Sequence, residues 1–150
     1  MGIRRKSRES ALRILYQCDI RGEWDARAVA ERHFDQEPEV SGQERDFAVE
    51  LAEGVADRRE IIDMELGHCL TNWPVDRLGY MERNILRIGA FEILYQQFTP
   101  DKVAVDEAVR MTKLYCDKDS SGLVNGALQK VMDRKSAGNA SGEAGAKLAV

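Results

Sequence analysis

Met81-Glu82-Arg83-Asn84-Ile85-Leu86-Arg87-Ile88-Gly89-Ala90-Phe91-Glu92-Ile93-Leu94-Tyr95 is the stretch that decides the fold. Wound as a helix, its Ile85, Leu86, Ile88, Phe91, Ile93, Leu94 and Tyr95 cover almost the whole circumference. A helix apolar all round belongs at the centre of a bundle. The pattern predicts this helix from Met81 to Phe98, with Gly89 and Ala90 letting a neighbour approach closely. Glu92 is the odd residue in the run. An unpaired buried carboxylate is costly, so Glu92 is expected to hold a core salt bridge or hydrogen bond rather than to catalyse.

The flanking segments supply the helices that would surround it. A first helix is expected from Ser7, as N-cap, to Ile20, with Ala11, Leu12, Leu15, Cys18 and Asp19 at helical spacing and Gly22 breaking it. A short second helix follows Asp25, turning Val29 and Phe34 inward, and Pro38 closes that region. Ser41 would cap a long third helix through Phe47, Leu51, Val55, Ile62, Leu66 and Cys69, bounded by Pro74. Beyond the central helix, Thr99 as cap and Pro100 in the first turn start a fifth, carrying Val105, Ala108, Val109, Thr112 and Tyr115. Asp119, Ser120 and Ser121 announce a sixth with inner face Val124, Ala127, Leu128 and Val131. No convincing strand alternation and no glycine-rich phosphate loop interrupts the pattern. The expectation is an all-α helical bundle of about six or seven helices, one domain over residues 1–135. Residues 136–150 collapse to Ala, Gly, Ser and Asn and read as a low-complexity tail, disordered or loosely helical and functionally silent.

At 150 residues, with 43% hydrophobic and 32% charged side chains, the chain can bury an ordinary core. It has no apolar run long enough to span a bilayer. No apolar signal core follows the basic start, so a cytoplasmic protein is expected. Cys18, Cys69 and Cys116 are widely spaced and read as reduced thiols rather than a disulfide framework. His33 and His68 are the only histidines, neither at a metal-ligand spacing with the cysteines. No catalytic signature is present, so a binding module with neither metal nor cofactor is expected rather than an enzyme.

Charge is distributed unevenly. Arg4, Arg5, Lys6 and Arg8 oppose a single Glu9 in the first ten residues, making that arm +3 and the remainder −7 within a net −4. A polyanion would feel the arm as a local attractive field whatever the overall sign. Arginine adds bidentate recognition of phosphate oxygens. The same run also fits a solvated terminal arm that only keeps the chain soluble.

Three segments together resemble the NusB family of bacterial transcription antitermination factors. They are Arg4-Arg5-Lys6-Ser7-Arg8-Glu9 with its continuation to Leu15-Tyr16, the stretch Glu82 to Tyr95, and Lys102-Val103-Ala104-Val105-Asp106-Glu107-Ala108-Val109 running on to Gly122-Leu123-Val124-Asn125-Gly126-Ala127-Leu128. The resemblance implies an all-helical fold of two three-helix halves. It implies binding to single-stranded boxA RNA together with NusE, a ribosomal small-subunit protein, on the transcription elongation complex. By position, Arg4, Arg5, Lys6 and Arg8 would contact RNA, with Tyr16 stacking or hydrogen-bonding nearby. Asp119 and Leu123 match positions flanking the RNA surface. Ser120 and Ser121 would offer amides at a helix start, suited to a phosphate or simply to capping. Glu82 matches a position facing NusE. Asp106 stands where many relatives have asparagine, and Leu123 where an aromatic is often found, so a stacking contact is lost there. A homodimer could hide the basic arm. Two other readings fit the residues: a protein-interaction module without specific RNA binding, and a detached recognition domain of an rRNA methyltransferase. The latter would need a cofactor-binding αβ domain.

Overall fold

The computed structural model describes residues 2–71 and 74–138. Every regular element among them is helical, and the chain divides into two compact units at Arg58 and Arg59. The first contains α1 (Ile3–Arg21), α2 (Ala26–Asp35) and α3 (Gly42–Asp57). The second contains α4 (Arg59–Cys69), a 3-10 turn at Val75–Arg77, α5 (Tyr80–Tyr95), α6 (Asp101–Tyr115) and α7 (Lys118–Ser136).

In the first unit α1 packs against α3 and α2, burying Leu12, Ile14, Leu15, Val29, Phe34, Leu51 and Val55. Gly22 stops α1 because it adopts φ 65°, a left-handed conformation that costs glycine little. The N–H groups of Gly22 and Glu23 then take the Asp19 and Cys18 carbonyls. Asp25 caps α2 by accepting from the Ala28 N–H at 3.1 Å, and Ser41 caps α3 through the Glu44 N–H at 3.2 Å.

In the second unit α5 is the central helix, packed by α4, α6 and α7 and buried continuously from Asn84 to Leu94. A Cβ on Gly89 would lie 2.6 Å from Leu128 Cδ1 and 3.5 Å from Ala108 Cβ, so the missing side chain sets the approach of α6 and α7. Glu92 is buried and does not lack an interaction. The charges that enter this core are paired. Arg87 donates twice to Asp63, both at 2.8 Å, and once to Asn84 Oδ1. Arg134 donates to the buried Glu65 at 2.6 Å. Lys135 joins Asp101 and the Ile93 carbonyl.

Several boundaries differ from the sequence expectation. α1 begins at Ile3, because extended Gly2 takes the cap position and buried Ser7 turns its hydroxyl to the Glu44 carbonyl of α3, 2.7 Å away. The long third helix is two helices. Arg58, at φ −112° and ψ 17°, leaves helical geometry, so the second unit holds four α-helices and not three. α5 ends at Tyr95, short of Phe98, as Gln96 turns extended. α6 begins at Asp101 with Pro100, not Thr99, in the cap position, and the buried Thr99 hydroxyl caps nothing. α7 begins at Lys118 with Asp117 before it. Ser136, the first residue of the expected tail, is the last residue of α7, and residues 139–150 of that tail fall outside the described residues.

Candidate nucleic-acid interface

The basic run is the first turn of a helix, not a loose arm. Arg4, Arg5 and Lys6 are exposed at the start of α1, in a turn that contains no acid. The helix dipole makes this the wrong end for cations, by up to about 1 kcal/mol each at an exposed site. An anion bound there would reverse that unfavourable placement. The first helical hydrogen bond runs from Lys6 N–H to Gly2 O, and Gly2 offers no side-chain cap.

Phe47 on α3 holds this end in place. Arg4 and Arg8 lie four residues apart on one face of α1, and their guanidinium carbons sit 4.8 and 5.8 Å from the Phe47 ring centroid. Arg8, expected beside the others on the open face, is only 4% exposed. Its contact with the Phe47 ring ties α1 to α3. The sequence pattern places Phe47 only as a core residue of its helix. The signal that could have found it is the i,i+4 spacing of the two arginines, which gives them one common neighbour. Tyr16 is half-buried farther along α1.

The other expected residues lie at the start of α7, in the second unit. Asp119 is exposed. Leu123 is half-buried and lines a groove of about 220 Å³ with Leu70, Thr71, Gly126 and Lys130. The Ser120 amide donates to Asp117 O at 3.1 Å. Ser121 Oγ stands 3.5 Å from Thr112 Oγ1. Glu82 of α5, expected on a partner-facing surface, is half-buried and bonded to this helix start. Its carboxylate accepts from Ser120 Oγ at 3.3 Å and lies so close to Gly79 that a Cβ there would meet it at 2.6 Å. The sequence also gave no hint of a groove of about 510 Å³ between α6 and α7, where Arg110, Lys113, Ser121 and Asn125 converge.

The thiols do not resemble reactive centres. Burial pushes Cys18 and Cys69 up to about 11. Burial, reinforced by the charge and hydrogen bond of Glu82, pushes Cys116 up to about 12. At neutral pH all three are protonated and poorly nucleophilic. Among the described residues no group of three or more His, Cys, Asp or Glu side chains is placed to hold a metal ion.

The fold and this edge define a class: an all-helical protein that presents arginine and lysine at the open start of a helix. The chain belongs to the NusB family, which it matches over residues 5–133. It is 40% identical over 134 residues to the transcription antitermination protein NusB of Bifidobacterium longum subsp. infantis, covering 89% of this chain and 71% of that one. To the NusB of Streptomyces griseus subsp. griseus it is 36% identical, covering 90% and 95%. Among solved structures, T. maritima NusB superposes with a TM-score of 0.80 at 26% identity, covering 95% of this chain and 96% of that one. A chain from a crystal structure of antitermination factors NusB and NusE in complex with dsRNA superposes at 0.79 and 26% identity, covering 89% of this chain and 98% of that one.

Proposed function

We propose that this chain is a non-catalytic, cytoplasmic RNA-binding factor that holds a boxA-type RNA segment and NusE on an elongating polymerase, and so opposes termination, notably in ribosomal RNA operons. The observation that carries the reading is the exposed Arg4-Arg5-Lys6 turn, free of acids, in a chain of the NusB family. The relative of known structure held with NusE and dsRNA supports both partners. The functional part is the helical body, residues 1–135. No helix among the described residues is long and apolar enough to cross a membrane.

Arg4, Arg5 and Lys6 supply the phosphate contacts, and the α1 dipole adds to their attraction. Arg8 positions Arg4 through Phe47. Tyr16 offers a ring edge or hydroxyl to an unstacked base. Asp119, Ser120 and Leu123 are contacts at the start of α7. Leucine there gives apolar cover in place of ring stacking. Glu82 serves the NusE side, and its bond to Ser120 joins the two functions locally. Each surface binds modestly, and joint engagement of RNA and NusE raises the effective concentration of the second partner.

The test is fluorescence anisotropy with a boxA RNA and a scrambled RNA of equal length, with and without NusE, at two salt concentrations. Tighter binding of the boxA RNA, with a further gain from NusE, is the expected result. Equal affinity for both RNAs, unchanged by NusE, would reduce the interaction to general electrostatics and overturn the proposal.

A further inference from the structure

The first unit carries a second surface of opposite sign. A groove of about 560 Å³ runs between α2 and α3. Its floor is apolar: Ala30 and Phe34 are buried and Val49 half-buried. The walls carry two carboxylate rows, each at i,i+4: Glu31 and Asp35 on α2, Asp46 and Glu50 on α3. Like charges at that spacing repel by about 0.2–0.5 kcal/mol per pair on an isolated helix. Asp35 is also the last residue of α2, where the helix dipole disfavours an anion.

Two arginines line the groove and offset only part of this charge. Arg27 is spent at one end in a two-pronged bond to Glu53, at 2.7 and 3.1 Å. Arg45 lies over the Phe34 ring, 5.3 Å from its centroid. Asp35, Asp46 and Glu50 make no ion pair among the described residues. A mixed polar and apolar slot whose carboxylates outnumber its two arginines repels a nucleic acid and fits a cationic polypeptide.

We propose that this groove docks a lysine- and arginine-rich helical segment of a protein partner, with an apolar side chain of that segment against half-buried Val49 and its cations between the carboxylate rows. Arg45 occupies the face of the Phe34 ring, so the apolar contact open to a partner falls to Val49. The inference does not depend on the RNA reading, because none of these residues belongs to the α1 start or to α7.

The probe is a fluorescent helical peptide with leucine and lysine alternating at i,i+4. Two companions keep its length: one with leucines replaced by serine, one with lysines replaced by glutamate. Binding to the full chain is followed by anisotropy and by amide shifts of 15N-labelled protein. The Leu/Lys peptide should bind, shift Ala30, Phe34 and Val49, and weaken at least tenfold against Asp46→Asn with Glu50→Gln. Both companions should bind at least tenfold more weakly, and boxA RNA affinity of the variant should stay within twofold. Three results would overturn the inference: shifts centred elsewhere, equal binding of the serine companion, or RNA in place of peptide shifting the groove amides. These surface variants keep the fold, which their amide spectra verify.

Discussion

Two polar side chains gain their meaning from what stands beside them. Glu82 alone on a helix would be an ordinary exposed carboxylate. Set against Gly79 and Ser120, it has a fixed position, and its charge helps hold the Cys116 thiol up at about 12. His33 shows the opposite effect. Burial lowers its pKa below the ordinary 6.5, Arg13 pushes the same way, and Glu37, 3.8 Å from Nε2, opposes both. Gln17 Nε2 donates to its Nδ1 at 3.2 Å, an arrangement that needs the neutral ring. A lowered folded pKa means that the unfolded chain takes the proton first. Stability conferred by His33 is therefore present above about pH 6.5 and is lost as pH falls through the window beneath it. Thermal unfolding at pH 7.5 and 5.5 checks this. His33→Gln should lose less Tm on acidification than the parent chain, and an equal or larger loss would show that His33 has no part in the acid sensitivity.

At the scale of elements, the close meeting of α5 with α6 and α7 rests on Gly89. Alanine there would favour the helix by about 1 kcal/mol. Its methyl carbon would also enter the space of Leu128 Cδ1, 2.6 Å away in a fully buried side chain. Overpacking of this kind costs about 1–3 kcal/mol. Gly89→Ala should therefore destabilise by about 1 kcal/mol net, or about 2–4 °C in Tm, and combining it with Leu128→Val should recover part of the loss. A rise in Tm for the single variant would refute the packing argument. The approach at Gly89 was legible in the sequence because a glycine within an apolar helix has few other uses. The inward faces of α2, α5 and α7 were legible for the same reason: burial leaves a 3.6-residue period. The boundaries were not. Ser7 looks like a cap, yet its hydroxyl goes to a carbonyl 37 residues away. Arg58 interrupts a continuous apolar period without a glycine or proline to announce it. Thr99 has a capping side chain, but the following proline holds the cap position. Each of these depends on tertiary contacts or on a single residue's backbone angles, which local pattern does not encode.

Across the whole molecule the sign of charge separates by place. The chain is net −4, yet its first turn of α1 is purely cationic and its α2–α3 groove predominantly anionic. Exposed charges act over about 8 Å at physiological ionic strength, so an RNA phosphate responds to the cations beside it more than to the total. Each phosphate contact on a single strand contributes about 0.7 to the slope of log affinity against log salt. Arg4→Ala with Arg5→Ala should weaken boxA binding at least tenfold at low salt and flatten the slope by about 1.4 if both side chains touch phosphates. Arg4 also stacks on Phe47, so lost affinity alone could reflect a loosened α1. Arg5→Ala with Lys6→Ala leaves that stack intact and should flatten the slope as much. If the first pair loses affinity while both slopes match that of the parent chain, then Arg4 matters as a brace and the phosphates are held elsewhere. If both slopes fall together, the cationic turn itself is the contact.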